Sequence, residues 1–250
     1  MQKKSKGIVV GSCGVTEWLL AWWYHHYALH NSYPITFVDF GMSEKAKAFC
    51  KEKGNLIPLK SENFVIQKES VEEHLRELWE KIYSKEFWPC RKAWFKKPLA
   101  MHLSPYEETL WLDLDCEVRG PLNPLFDHLE NNPLKISVAK EPEKVQVFEL
   151  EKGLILPGEI TFNSGVVAFS KHSPVIAEWV EKSLKSNHKY IGDQHILSRI
   201  LFNKDFTFKE LSPLFNWNMR LGPNPEALVL HFVGPSGKAQ IQEKIKDLSL

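Results

Sequence analysis

Cysteine is scarce: four stand among 250 residues, at Cys13, Cys50, Cys90 and Cys116, and none forms a Cys-x-x-Cys pair. That spacing excludes a cysteine-based zinc site and, in a chain of this length, a disulfide framework. A reducing, cytoplasmic setting is expected. No Asn-x-Ser/Thr sequon occurs, in keeping with that setting. No apolar run approaches the roughly 18 residues of a spanning helix, and Gly7–Gly14, behind the basic start, is too short and glycine-rich for a signal-peptide core. A soluble protein with no transmembrane segment is expected. Charge of one sign is lacking too: 32 Lys and Arg face 31 Asp and Glu. This removes the electrostatic argument for nucleic acid or an anionic membrane as partner. Taken alone, the basic clusters Met1–Lys6 and Lys96–Lys97 read as solvated faces. Internal repeats, low-complexity stretches and long linkers are absent, so residues 1–250 are expected to form a single domain.

Hydrophobic residues, by contrast, reach 43%, enough for a buried core. Aromatics reach 12% with nine Trp, more rings than a minimal core needs. Clefts for sugars or nucleotides use such rings, although packing is the first explanation of any single Trp.

The order of the apolar segments predicts an α/β domain. Gly7-Ile-Val-Val-Gly11 reads as a buried strand running into the turn Gly11-Ser-Cys-Gly14. From Glu17 the spacing of Leu20, Trp23, Tyr24 and Tyr27 is helical. Pro34–Asp39 and Asn55–Leu59 read as strands around a helix capped by Ser43 and ending near Lys53. This alternation points to parallel strands with right-handed crossovers. Ser70-Val-Glu-Glu73 reads as a capping box, followed by an apolar stripe of Val71, Leu75, Leu78 and Ile82. A helix is expected over Arg91–Leu103, and Thr109–Asp113 is the clearest central strand. Lys135–Ala139, Gly165–Phe169 and Leu228–Val233 read as further strands, and helices start at Pro174 and Asp193.

Asp113-Leu-Asp115 stands at the carboxyl end of the central strand. Alternate residues of an extended chain share a side, so both carboxylates can face one point. Ligands of open α/β sheets bind at that edge. Two carboxylates there repel unless a cation or a proton intervenes, and a divalent metal bridging them to a diphosphate accounts for the pair. A phosphatase of the haloacid-dehalogenase type also places Asp-x-Asp after an apolar strand. It expects Thr or Val at the fourth residue after the first Asp; here that residue is Glu117, and the pair lies mid-chain.

With Trp111-Leu-Asp-Leu-Asp115 in hand, the chain resembles the glycogenin and bacterial lipopolysaccharide galactosyltransferase family of retaining enzymes. Four more elements carry the likeness in order: Lys96-Lys-Pro-Leu-Ala100 with Ser104-Pro105, Phe162-Asn-Ser-Gly165, Gly192-Asp-Gln194, and His231-Phe-Val-Gly234 with Lys238 beyond. The resemblance implies a GT-A-type, Rossmann-like α/β fold, with a mixed, mostly parallel sheet flanked by helices. It implies Mn²⁺ or Mg²⁺ held by Asp113, Asp115 and His231, imidazole suiting manganese better than magnesium. Gly234 would let the backbone approach the donor's phosphates, and Lys238 would neutralise the leaving diphosphate. Asn163 would hydrogen-bond sugar or acceptor, Asp193 would hold donor-sugar hydroxyls, and Gln194 would lie near the anomeric carbon. Gly11, Ser12 and Lys96 fall on the donor side as well. The chain departs from the family in two places. Its first turn lacks the Asp usual near the nucleobase, and the step from Gly234 to Lys238 is one residue longer, with no Pro-Trp after it.

The implied function is metal-dependent transfer of a hexose, with retention, from a nucleoside-diphosphate sugar (UDP-glucose or UDP-galactose) to a sugar, lipid or protein acceptor. The alternatives are a catalytically silent nucleotide-sugar-binding protein and a nucleotidyltransferase. Intact Asp113, Asp115, Asp193 and His231 weigh against the first, and a first turn without Lys or Arg weighs against the second.

Overall fold

The computed structural model describes residues 5–60, 64–83, 85–130, 135–204 and 206–248, so the Met1–Lys4 part of the basic start lies outside the described residues. Its strands are β1 (Lys6–Ser12), β2 (Ile35–Asp39), β3 (Asn55–Pro58), β4 (Glu108–Leu112), β5 (Cys116–Val118), β6 (Ile136–Lys140), β7 (Phe162–Ser170), β8 (Phe208–Glu210), β9 (Trp217–Asn218) and β10 (Val229–His231). Its α-helices are α1 (Leu20–Ala28), α2 (Glu44–Lys53), α3 (Glu73–Tyr83), α4 (Trp88–His102), α5 (Asn123–Asp127), α6 (Glu143–Glu151), α7 (Pro174–Ser186), α8 (Asp193–Asn203) and α9 (Gly234–Leu248).

Seven strands form the main sheet in the order β3-β2-β1-β4-β7-β6-β8. The pairs β3/β2, β2/β1, β1/β4 and β6/β8 are parallel, and β7 runs antiparallel to both β4 and β6. The sheet is therefore mixed and mostly parallel, as expected. The continuous apolar runs are explained by helices on both faces. Ile8, Val10, Leu110 and Leu112 face a core that includes Trp22, Trp23 and Phe126, while Val9, Val38, Trp111 and Val167 face one that includes Phe95, Trp179 and Leu197. The tryptophan-rich helix α1 is core: Trp22 and Trp23 are fully buried, and Trp23 stacks on Tyr27 at 5.2 Å.

Two features fix what lies at the carboxyl edge. The register of β6 against β7 jumps between Val138 and Ala139, so β7 bulges at Ser164–Val166. Bulges re-aim side chains, and this one turns the Asn163-Ser-Gly165 segment toward the end of β4. Beyond β4 the chain enters a second, three-stranded sheet, β5-β10-β9, which sets Cys116 opposite His231 and His231 opposite Asn218.

One expectation is corrected. Ser70 caps no α-helix: it ends a 3₁₀ turn, Lys68–Ser70, Val71 is extended, and α3 starts at Glu73. Val71 still packs beside Leu75 and Leu78, but Trp79 is the buried anchor of that helix. No helix among the described residues is long and apolar enough to cross a membrane. All four cysteines are free.

Candidate active site

Asp113 and Asp115 leave the end of β4 and are held by backbone. Asp113 N–H donates to the Gly165 carbonyl at 2.8 Å, and Phe232 N–H donates to the Asp115 carbonyl at 2.9 Å. These two bonds bring the strand end between the β7 bulge and β10. His231 then presents Nε2 to both carboxylates, 3.3 Å from Asp115 Oδ1 and 3.9 Å from Asp113 Oδ2. The imidazole is buried and fits only because residue 165 is glycine. A Cβ there would lie 2.2 Å from His231 Cε1.

Two lysines balance the acids. Lys97 Nζ donates to Asp113 Oδ2 at 2.9 Å, and Lys238 Nζ donates to Asp115 Oδ2 at 2.8 Å. Burial alone would raise the Asp115 pKa, but the Lys238 ammonium beside it acts the other way, and the carboxyl is held well below the usual range. Burial would likewise lower the Lys97 pKa, but Asp113 and Asp193 hold the ammonium charged. The longer spacing after Gly234 does not take Lys238 away, because it lies in the first turns of α9 and reaches Asp115.

Asp115 and His231 bring an oxygen and an imidazole donor together, chemistry suited to a divalent cation, and Asp113 Oδ2 lies 3.9 Å from the same imidazole nitrogen. Cys116 Sγ also lies with Asp115 and His231 within 4.8 Å. Burial and the adjacent carboxylates push its thiol pKa well up, and Sγ faces the Gly165 carbonyl at 3.9 Å.

No protein-family model matches this sequence, and no curated protein matches it. Solved structures do match. The galactosyltransferase LgtC, in complex with donor and acceptor sugar analogs, superposes with a TM-score of 0.60 at 20% identity, covering 97% of this chain and 94% of that one. An active-site mutant of LgtC gives 0.59 at 16%, covering 92% and 88%. Mouse xyloside xylosyltransferase 1, apo form, gives 0.54 at 16%, covering 90% and 97%. The chain has the GT-A fold.

Around the carboxylates this GT-A domain places the remaining sequence-derived residues at graded distances. Asp193 opens α8, but Gly192 is the N-cap, so the Asp193 carboxylate has no capping duty. It is buried and accepts from Ser164 Oγ at 2.9 Å, with Lys97 Nζ at 3.6 Å. Burial raises its pKa despite Lys97. Gln194 is half-buried, its Nε2 donating to Glu141 Oε1 at 3.4 Å. Asn163 is buried, with Nδ2 on Glu141 Oε1 at 2.6 Å and Oδ1 accepting from Gly165 N–H at 2.8 Å. Gly234 has φ +75, a conformation that favours glycine, and a Cβ there would meet Arg220 Nη2 at 2.8 Å.

Gly11, Ser12 and Lys96 form a separate group near the end of β2. Phe40 N–H donates to the Ser12 carbonyl at 2.8 Å, the Phe40 ring covers Gly11, and Lys96 Nζ donates to the Phe40 carbonyl at 3.2 Å. Lys96 touches neither carboxylate; its neighbour Lys97 does. The acid of this edge is Asp39, which accepts from Gly41 and Met42 N–H at 2.7 Å and so holds the turn after β2.

Sequence reading named Lys97 only as an alternative beside Lys96, and gave no role to Ser164, Glu141, Asn216, Asn218 or Arg220. Lys97 was one residue from the lysine chosen, and helical phase with the buried Met101, four residues on, is the signal that separates them. Asn216 and Asn218 belong to a short strand of a small sheet, and no local spacing announces them.

Proposed function

We propose that this chain is a glycosyltransferase that takes a hexose from a nucleoside-diphosphate sugar, UDP-glucose or UDP-galactose first, and passes it with retention to a sugar, lipid or protein acceptor. The observation that carries the reading is the convergence of Asp113 and Asp115 on His231 Nε2 at the carboxyl edge of this sheet. The likeness to LgtC, whose structure is in complex with donor and acceptor sugar analogs, supports it. Asp113, Asp115 and His231 would hold Mn²⁺ or Mg²⁺, which when bound neutralises the diphosphate and eases its departure. Lys238 supplies a second positive charge beside Asp115, and Arg220, packed against Gly234, a third. Asp193 and Gln194 face the sugar.

Retention follows from which acids are free. Gln194 is a poor nucleophile. An inverting path needs a carboxylate base poised for the acceptor, and the two acids beside Gln194 are occupied. Glu141 accepts from Asn163, Gln194 and Asn218, and Asp193 from Ser164. What remains is attack from the face of departure, with the leaving diphosphate oxygen taking the acceptor's proton.

Calorimetry of UDP with and without Mn²⁺ tests the donor site. Affinity should rise sharply with the cation, and Asp113→Asn should remove that gain. Equal UDP affinity in both conditions sinks the metal role. NMR of the first-formed product from an α-linked donor tests the stereochemistry: an α-linked product is expected, and a β-linked one refutes retention.

A further inference from the structure

His231 stands between opposing demands. Its Nε2 faces Asp113 and Asp115, and two carboxylates by themselves favour a proton on Nε2. A protonated Nε2 cannot ligate a cation, because the lone pair is used. Something must hold the proton on the other side of the ring.

We infer that Asn216 is a positioning residue that holds His231 in the Nδ1–H tautomer, and that its own orientation is locked by Asn163 and Glu141. The inference rests on reading His231 as a cation ligand, and it deepens that reading. The argument is one of hydrogen-bond satisfiability. Glu141 is a buried carboxylate, an acceptor only, and its Oε1 takes Asn163 Nδ2 at 2.6 Å. On the other side Gly165 N–H, a donor only, bonds Asn163 Oδ1 at 2.8 Å. Flipping the Asn163 amide would set oxygen against carboxylate and NH₂ against N–H, so only one orientation stands. Asn163 Oδ1 then requires a donor from Asn216, which Nδ2 supplies at 2.8 Å. The second amide is thereby fixed as well, and its Oδ1 points at His231 Nδ1, 2.9 Å away. An amide oxygen can only accept, so Nδ1 carries a proton, which in the neutral ring leaves the Nε2 lone pair for a cation.

Every group in this series is buried: Glu141, Asn163, Asn216 and His231 are each less than 10% exposed, so water offers no easy substitute. Glu141 also accepts from Gln194 and from Asn218, the neighbour of His231 in the second sheet. One acid thus braces both the ring and the amide expected to face the sugar.

The test is ¹⁵N NMR of the histidine rings in metal-free protein at about pH 8, where an ordinary imidazole is neutral. The wild type should show His231 protonated on Nδ1 and bare on Nε2. Asn216→Leu should move the proton to Nε2 and weaken Mn²⁺ binding by about 10- to 100-fold, the usual range for a residue supporting a ligand. An Nε2–H tautomer or an imidazolium in the wild type overturns the inference, and that measurement needs no variant to fold. An unchanged tautomer in Asn216→Leu overturns it too. If the tautomer shifts as stated while the wild type binds no Mn²⁺, the positioning role of Asn216 stands and the proposed catalytic reading falls.

Discussion

Gly165 shows how tightly single residues set this site. It carries no chemistry of its own, yet it accepts the Asp113 backbone bond, donates to Asn163 and leaves room for the His231 ring. Gly165→Ala would set a methyl 2.6 Å from His231 Nδ1 and 2.9 Å from Asn163 Oδ1. Overpacking of this kind costs about 1–3 kcal/mol, so the variant should fold with a modestly lower melting temperature. Because the ring must shift from its present position, Mn²⁺ affinity should fall by about 10-fold or more. Calorimetry beside thermal melting separates the two effects. An unchanged Mn²⁺ affinity would show that the ring is not held where the cation needs it. The sequence could single out Asn163-Ser-Gly165 as a motif, but not the use of its glycine. That use depends on His231, which arrives from the other end of the chain.

Among elements, α4 does more than supply Lys97. Arg91 on its inner face is fully buried with no carboxylate partner among the described residues, donating instead to the carbonyls of Ile66, Asn187, Tyr190 and Ile191. Its guanidinium also lies near the rings of Trp79, Trp88 and Phe95 at 5.0–5.2 Å. Burial lowers its pKa to about 10. This fork ties α3, α4 and the segment leading into α8, and so sets where Gly192, Asp193 and Gln194 begin. Arg91→Met should leave four buried carbonyls short of a donor and cost roughly 3 kcal/mol or more. Arg91→Lys should rescue little of this, since an ammonium cannot reproduce the planar fork. Urea unfolding measures both, and wild-type stability in Arg91→Lys would show that charge alone suffices. Most strands and long helices of this domain were legible because their apolar residues repeat at the period of one face. Helix α6 was not, for it inverts that rule. It buries Glu149, paired with Thr161 and His195, and exposes Val147, Phe148 and Leu150. Strands β8 and β9 were too short to carry a period, and the capping box at Ser70 misled because Val71 is pulled into the Trp79 cluster before the helix begins.

For the molecule as a whole, alkaline pH should erode stability from one direction. Burial raises the thiol pKa of Cys50 to about 12 and pushes that of Cys116 well up, while unfolded thiols ionise near 8.5. Between those values the folded state keeps protons that the unfolded state loses. Stability is therefore full below about pH 8.5 and falls as pH rises toward the folded-state value. Lys97 and Lys238, held charged by their acids, act with the same sign at higher pH; Arg91 opposes them. Urea midpoints measured from about pH 8 to 10.5 should decline, and Cys50→Ala should flatten the decline; an identical slope in that variant would remove Cys50 from the account. The second sheet also dictates an order of events. Asp113 and Asp115 follow β4, whereas Asn216, His231 and Lys238 belong to the last part of the chain, and the antiparallel pairing of Cys116 with His231 joins them. Closing so long a loop is slow compared with forming the local βαβ units of β1 to β3. During synthesis, then, the carboxylates leave the ribosome well before the imidazole and the ammonium that partner Asp115. If Asp113, Asp115 and His231 hold a cation as proposed, a nascent chain has both acids in place but no completed site until β10 pairs with β5.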